Sequence, residues 1–140
     1  MIVISVLPPL LNNSGNSTPT PQSQTLVSFG TVQSLNAGHY IYYTFTVPSG
    51  AYSIYLSGSY SSNNNVKVGV LTNTQFGAFT QNPSTISSAS WYSGNNGGAT
   101  ISFYPSSGTS YSIVIYDANF FTSDTVTVAN SFTLSYTTTG

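Results

Sequence analysis

Charge is what this sequence has least of. Lys67 is the single basic residue among 140, and Asp117 and Asp124 are the only acidic residues. One cation cannot neutralise a row of phosphates, so the composition excludes a nucleic-acid partner and disfavours docking to anionic lipid. With a formal net charge of −1, copies of the chain repel one another weakly. This weak repulsion favours association between copies, and monomers would need glycans to stay soluble.

Cysteine is absent as well, so no disulfide framework supports the fold. Polarity comes from Ser, Thr, Asn and Gln, which make up 62 of the 140 residues and do not ionise. Acid denaturation acts mainly by protonating carboxylates that are ionised in the native state, so a chain with two carboxylates and one histidine is expected to tolerate acid. These properties predict an extracellular protein at the cell surface, in an acidic medium.

Long hydrophobic runs are also missing, yet apolar residues are plentiful. Hydrophobic residues make up 39% of the chain and aromatic residues 14%, which is enough for a packed core in one domain. We divide the chain into an N-terminal apolar strand at 1–11, a polar Pro/Ser/Thr linker at 12–24 and a β-sandwich domain at 25–140.

Period-two alternation runs through the region after the linker. In one run, Ile41, Tyr43 and Phe45 alternate with Tyr42 and Thr44, and the same pattern returns in later runs separated by Gly, Pro, Asn and Ser turns. No window shows an apolar period of 3.6, so no helix is predicted. The pattern predicts an all-β fold, an antiparallel, jelly-roll-like β-sandwich of about seven to nine strands.

The N-terminal apolar run has three interpretations. It is a candidate polymerisation strand, which would insert into the sheet of a neighbouring copy by donor-strand complementation. The alternatives are a strand of its own domain and the stub of a trimmed membrane anchor. The run is too short to span a bilayer as a helix. Its apolar members are Ile2, Val3, Ile4, Val6 and Leu7.

Two N-x-Ser/Thr sequons lie in the polar linker. They begin at Asn12 and Asn16, which are the predicted N-glycosylation sites, whereas Asn82 precedes Pro83 and is excluded.

Candidate catalytic groups are few. His39 is the single histidine, and the sequence marks no partner for it, so a structural role is favoured. Asp117 and Asp124 flank a predicted loop, where they would suit turn formation, a weak cation site with Asn119, or glycoside hydrolysis, in that order of preference. The chain has no nucleophile motif, phosphate-binding loop or metal-ligand cluster. We therefore expect no enzyme activity, no metal and no cofactor.

Four tyrosines fall on the polar faces of predicted strands and are candidate interface aromatics. Such tyrosines form protein interfaces or stack on sugars, and the alternative is cross-strand packing on the sheet itself. They are Tyr40, Tyr42, Tyr55 and Tyr116.

The near absence of charge, the Ser/Thr/Asn/Tyr-rich strands, the linker sequons and the apolar N-terminal run resemble surface-filament subunits of thermoacidophilic archaea, of the thread and adhesive-pilus types. The resemblance covers the whole chain and lies in composition and layout. It implies a glycosylated β-sandwich subunit that polymerises outside the cell through N-terminal donor strands. That role would fall on residues 2–7, with glycans on Asn12 and Asn16.

A weaker resemblance is to the pre-peptidase C-terminal domain, a β-sandwich appended to secreted proteases. It is carried by residues 38–50, Gly-His-Tyr-Ile-Tyr-Tyr-Thr-Phe-Thr-Val-Pro-Ser-Gly, and by residues 110–116, Ser-Tyr-Ser-Ile-Val-Ile-Tyr. The acidic positions of that family are largely missing here.

The sequence as a whole favours a structural subunit of an extracellular archaeal filament. It would polymerise with itself by donor-strand complementation and contribute to adhesion. The alternative is a β-sandwich module, anchored at the cell surface, that binds an S-layer or surface glycans.

Overall fold

The computed structural model describes residues 3–5, 18–63, 65–94 and 97–139, with residues 3–5 described by their strand pairing alone. Several residues that the sequence singles out for polymerisation and glycosylation lie outside the described residues, and their roles stay predictions. These are Ile2, Val6, Leu7, Asn12 and Asn16.

The described residues contain ten strands in two sheets. The strands are β1 (Val3–Ser5), β2 (Pro19–Val27), β3 (Val32–Leu35), β4 (Tyr40–Thr46), β5 (Tyr52–Ser62), β6 (Val66–Thr72), β7 (Trp91–Ser93), β8 (Gly98–Phe103), β9 (Ser110–Asp117) and β10 (Asp124–Thr139). Sheet A has the order β1-β4-β9-β6-β7. Sheet B has the order β2-β10-β5-β8, and β3 also pairs with β10. The predicted β-sandwich is confirmed, with one strand more than the predicted range.

The core lies between the two sheets, where the apolar members of the alternating strands meet. On β4, Ile41, Tyr43 and Phe45 are buried, whereas Tyr42 and Thr44 on the opposite face are half-buried. The long strand β10 supplies the facing layer from sheet B, with Val126, Val128, Phe132, Leu134 and Tyr136. Alternation with period two therefore assigns each strand an inner and an outer face, as the sequence predicts.

β2 begins at Pro19, inside the segment that the sequence assigns to the linker. Pro19 pairs with Thr139 and Gln24 with Leu134, in antiparallel register. Prolines are tolerated here because β2 is the outermost strand of sheet B, where a missing N–H need not break a ladder. The sandwich therefore takes in residues 19–24, and its boundary lies earlier than residue 25.

Two short helices between β6 and β7 show that the prediction of no helix is wrong. They are α1 (Asn73–Gln81) and a 3₁₀ helix (Pro83–Ser88). Thr72 and Gln75 form a capping box at the start of α1, and the Asn82 side chain accepts a hydrogen bond from Ser84 N at the start of the 3₁₀ helix. Within the described residues, no helix is long and apolar enough to cross a bilayer.

The Gln75 side chain fastens α1 to the segment that follows the 3₁₀ helix. Its Oε1 accepts hydrogen bonds from Thr72 N at 2.9 Å, from Ser90 N at 3.2 Å and from Ser90 Oγ at 2.9 Å. The two helices therefore form one unit that lies on the outer face of sheet A.

β1 adds to the edge of sheet A beside β4. It runs parallel to β4, with Val3 opposite Tyr42, Ile4 opposite Tyr43 and Ser5 opposite Thr44. The other strand pairs of the described residues are antiparallel. In this arrangement residues 3–5 pair within their own chain, and the three interpretations of the N-terminal run stay predictions. Residues 3–5 cover an edge that β4 would otherwise expose.

Gly58 provides a test of the packing between β5 and β10. A Cβ at position 58 would come within 2.4 Å of Phe132 Cδ1 and 2.9 Å of Phe132 Cα. We expect Gly58→Ala to lower the free energy of unfolding by about 1–3 kcal/mol, because the contact is partly with backbone. The measurement is urea unfolding followed by fluorescence.

Gly77→Ala is the matched control, because Gly77 lies in α1 and has no atom within 4 Å of the added Cβ. That change should be neutral or stabilise by up to about 1 kcal/mol through helix propensity. Equal losses in both variants would contradict the packing that is described for Gly58.

Candidate binding site

The tyrosines on the outer face of sheet A form the floor beneath α1. The ring centroid of Tyr40 lies 4.9 Å from that of Phe79, and the ring centroid of Tyr42 lies 4.7 Å from that of Phe76. Tyr116 makes an edge contact with Phe79 at 5.5 Å. Tyr40 and Tyr42 are therefore half-buried residues that pack against α1, a contact that the sequence analysis did not predict.

Tyr55 lies apart from these three, on β5 of sheet B. Its hydroxyl donates a hydrogen bond to Ser102 Oγ at 3.0 Å, and its ring contacts that of Tyr104 at 5.1 Å. The four candidate interface tyrosines are therefore divided between two sheets and do not form one surface.

A pocket of about 330 Å³ opens beside the 3₁₀ helix, on the outer face of sheet A. This volume lies at the lower end of the range for small-molecule sites. The lining combines aromatic rings, hydroxyl groups, an apolar base and an ammonium group. The side chains that matter most to its chemistry are Lys67, Ser84, Ile86, Ser87, Tyr92 and Tyr116.

Gly69 allows the 3₁₀ helix to lie close against the sheet beside this pocket. A Cβ at position 69 would come within 2.8 Å of Leu71 Cδ1, 3.1 Å of Ile86 Cγ1 and 3.2 Å of Ala89 Cβ. Gly69 also stands opposite Tyr92 in the β6–β7 register. The missing side chain therefore lets Ile86 close the base of the pocket next to the Tyr92 wall.

Lys67 and the two pocket tyrosines come from three adjacent strands. Lys67 on β6 stands opposite Tyr116 on β9, and Tyr92 lies on β7. The Lys67 and Tyr92 side chains end near Gly94, because a Cβ at that position would lie 3.4 Å from Lys67 Nζ and 2.5 Å from Tyr92 Oη. An ammonium group and a phenol hydroxyl thus share one side of the pocket.

The two carboxylates of the chain meet at the corner where β9 of sheet A continues into β10 of sheet B. Asp117 and Asp124 are almost fully buried. The Asn119 side-chain amide donates to Asp117 Oδ1 at 2.8 Å and to Asp124 Oδ2 at 2.7 Å. Asn119 N also donates to Asp117 Oδ1 at 2.9 Å. This cluster joins the two sheets across a six-residue loop, which fits the turn-forming role that the sequence favours.

Burial raises the pKa of Asp124 above its ordinary value of 3.8, and the neighbouring Asp117 carboxyl raises it further, while the bond from Asn119 acts the other way. Asp117 Oδ2 and Asp124 Oδ1 are buried and have no hydrogen-bond partner among the described residues. Burial beside a second carboxyl group therefore favours the protonated form of Asp124 in the folded chain.

The catalytic candidates do not converge on the pocket. Its lining includes none of His39, Asp117 and Asp124. His39 is exposed, and its backbone O accepts a hydrogen bond from Asp117 N at 2.9 Å, which is a main-chain contact between strand ends. No group of three or more His, Cys, Asp or Glu side chains gathers as a metal site in the described residues. The absence of enzyme activity stays an expectation.

Sequence reasoning missed most of this pocket. Tyr92, Ser84 and Ser87 lie in or beside the helical segment that the sequence did not predict, and only Tyr116 was named in advance. The one signal that could have pointed to this place is Lys67, because a lone cation in a nearly uncharged chain is unusual.

Comparison with known proteins identifies shared architecture. No protein-family model matches the chain, and no curated protein matches it. Among solved structures it is similar to the pre-peptidase C-terminal domain of a collagenase from Bacillus anthracis, at 14% identity and a TM-score of 0.41, over 96% of this chain and 92% of that one. The pre-peptidase C-terminal domain is also the family named in the weaker of the two resemblances noted in the sequence.

Two further solved structures are similar. The periplasmic lysozyme inhibitor PliG of Aeromonas hydrophila is 12% identical with a TM-score of 0.41, over 99% of this chain and 97% of that one. A carbohydrate-binding module CBM36, in complex with calcium and xylotriose, is 11% identical with a TM-score of 0.39, over 84% of this chain and 98% of that one. At this level the likeness concerns the β-sandwich alone, and the resemblance to archaeal filament subunits stays a prediction.

The Asp117–Asp124 corner predicts a protein that is more stable in acid than at neutral pH. Because the pKa of Asp124 is raised on folding, the folded chain keeps a proton that the unfolded chain releases above pH 3.8. The resulting stabilisation is complete below that pH and is lost as pH rises through the folded-state pKa. We expect urea unfolding at several pH values between about 4 and 8 to show a free energy of unfolding that falls with rising pH.

The matched variants are Asp124→Asn, which should flatten this dependence, and His39→Gln, which should leave it in place. Stability that rises with pH in the wild type would contradict the raised pKa of Asp124. Addition of Ca²⁺ at neutral pH tests the alternative that the two carboxylates bind a cation. A large increase in the free energy of unfolding that is lost in Asp124→Asn would indicate a cation site instead.

Proposed function

We propose that this protein is an extracellular, surface-anchored β-sandwich module that binds glycans in the pocket between Tyr92, Tyr116 and the 3₁₀ helix. The single observation that carries the proposal is the chemistry of the pocket lining. Aromatic walls, hydroxyl groups and one cation surround a cavity of about 330 Å³. No catalytic role is proposed.

Sugars present both apolar C–H faces and rings of hydroxyl groups. Tyr92 and Tyr116 offer flat apolar surface with hydroxyl tips, which suits the sugar faces, and Ser84 and Ser87 are exposed hydroxyls that can exchange hydrogen bonds with the sugar. Ile86 is fully buried at the base and keeps water from beneath the ligand. A few polar groups on an apolar floor are the usual composition of a small-molecule site.

The rigidity of the walls also favours binding. Tyr92 and Tyr116 lie on strands of sheet A, and Tyr116 is held from behind by its edge contact with Phe79 of α1. A ring that is already ordered loses little side-chain entropy when a ligand stacks on it, so less of the interaction energy is lost on binding.

A glycan array followed by titration calorimetry tests the proposal. We expect the wild type to bind selected glycans and Tyr92→Ala to weaken that binding about tenfold or more, which corresponds to about 1.4 kcal/mol. Tyr92→Phe should keep the stacking and lose only the contribution of the hydroxyl group, so it should weaken binding less than Tyr92→Ala.

Tyr104→Ala is the matched control, because Tyr104 is an exposed tyrosine that contacts Tyr55 on sheet B, away from the pocket. An array on which nothing binds, or affinity that depends on Tyr104 and not on Tyr92, would refute the proposed site.

A filament subunit is the second candidate, and the pairing of β1 with β4 favours it. The edge of β4 accepts residues 3–5 through main-chain hydrogen bonds, and an edge strand can pair with the same segment of another copy. The near-zero net charge opposes such association weakly. Self-assembly by strand exchange would therefore use an acceptor edge that this fold provides.

Deletion of residues 1–7 tests this second candidate. We expect the full chain at acidic pH to form assemblies visible by negative-stain electron microscopy, and the truncated chain to remain monomeric by light scattering. Replacement of the same residues by a Gly/Ser sequence of equal length controls for chain length. Filaments that persist after deletion would eliminate donor-strand exchange, and a monomeric full chain would leave β1 as an internal strand.

A further inference from the structure

Lys67 is the one side chain in this protein that carries a full positive charge. The chain has no arginine and no second lysine, and its polar residues are mostly the neutral Ser, Thr, Asn and Gln. Lysine is also among the residues most depleted from buried sites. Its location in the wall of the pocket, where it is half-buried, therefore calls for a physical reason.

The carboxylates of the chain do not provide that reason. Asp117 stands opposite Val66, one position along β6 from Lys67, and is buried in the corner cluster with Asp124. Asn119 holds both carboxylates there by hydrogen bonds. Among the residues that the structure describes, no ion pair joins Lys67 to an acidic side chain.

Several features of the pocket keep the Lys67 ammonium group available to a ligand. Gly94 places no side chain in front of it, because a Cβ there would lie 3.4 Å from Lys67 Nζ. Tyr92 Oη ends beside the same position and can donate a second hydrogen bond to the same group of a ligand. An ammonium and a phenol hydroxyl side by side suit an oxyanion better than a neutral hydroxyl.

We infer that the pocket recognises an acidic sugar, with Lys67 and Tyr92 binding its carboxylate or sulfate group while the tyrosine rings contact the face of the sugar. This inference rests on the proposed glycan-binding function and names the substrate class of that same pocket. Lys67 is then the specificity-determining residue. The neutral hydroxyls around it contribute affinity without distinguishing acidic from neutral sugars.

The surroundings of the pocket strengthen the effect of a single charge. The other lining groups are neutral, so no neighbouring cation competes for the anion and no lining carboxylate repels it. A partly desolvated charge interacts more strongly than one in bulk water, because the effective dielectric constant is lower. One lysine is therefore sufficient for a measurable preference, and that preference should weaken as salt screens the rim.

The test compares sugars that share one ring and differ at C6: methyl glucoside, methyl glucuronide and methyl glucoside 6-sulfate, titrated by calorimetry at low salt. We expect the full chain to bind the two acidic ligands about tenfold more tightly than the neutral one, equivalent to about 1.4 kcal/mol. Lys67→Met keeps the apolar stem and should bring the three affinities together. Lys67→Arg keeps the charge and should retain the preference.

The possible outcomes are distinguishable. Equal affinities for all three ligands in the wild type, or a preference that survives in Lys67→Met, would overturn the acidic-sugar inference and leave glycan binding intact. Acetate or sulfate ions that bind as tightly as the acidic sugars would overturn it in favour of a simple anion site. If none of the three ligands and no array glycan binds, the inference and the proposed function fall together. Thermal unfolding of each variant checks that Lys67 substitutions leave the fold unchanged.

Discussion

The structure depends on burial of apolar side chains between two sheets whose outer surfaces carry almost no charge. Strands such as β4 and β10 present apolar residues inwards at every second position, and β10 runs through most of sheet B to supply the facing layer. With no disulfide, no metal cluster in the described residues and at most one lysine available for ion pairs, packing and main-chain hydrogen bonds hold this fold together. Uncharged hydroxyl and amide groups on the outer faces form hydrogen bonds with water. Because these groups do not ionise, they do not make the charge of the surface depend on pH.

The outer face of sheet A differs from the other outer surface because it is partly apolar, and the candidate site results from this difference. Tyr40, Tyr42 and Val114 make this face too apolar to remain in water, and α1 with the 3₁₀ helix covers it. The cover ends at the 3₁₀ helix, so the sheet beyond it is left as a pocket with Tyr92 and Tyr116 in its walls. The same cover that completes a second small core therefore creates a concave surface on an otherwise flat sandwich.

The two acidic residues and the one basic residue have different physical roles. Asp117 and Asp124 are used internally, where Asn119 joins them and links the two sheets at one corner. Lys67 lies on the outer face of sheet A, where its side chain lines the pocket. In a chain with three such charges, the two acids are therefore buried together at the corner, whereas the base lies apart from them in the lining of the pocket.

The sequence by itself determined the sandwich and most of its core, because burial of one face of a strand imposes a period of two that can be read directly. Ile41, Tyr43 and Phe45 were assigned to the core on that basis and are buried. For the N-terminal run the sequence left three interpretations open, and its described residues 3–5 pair with β4 of the same chain.

Tertiary structure alone decided where the outer tyrosines and the charges meet. Tyr40 and Tyr42 looked exposed because α1 is specified by a capping box and by contacts with the sheet rather than by a strong apolar period. The pocket joins Lys67, Ser84, Tyr92 and Tyr116, which are up to 49 positions apart in the chain. The register of β7, β6 and β9 brings Lys67 and the two tyrosines together, and the 3₁₀ helix adds Ser84. Local pattern encodes which face of a strand is buried, whereas neighbours across a sheet are set by strand order, which a single sequence does not state.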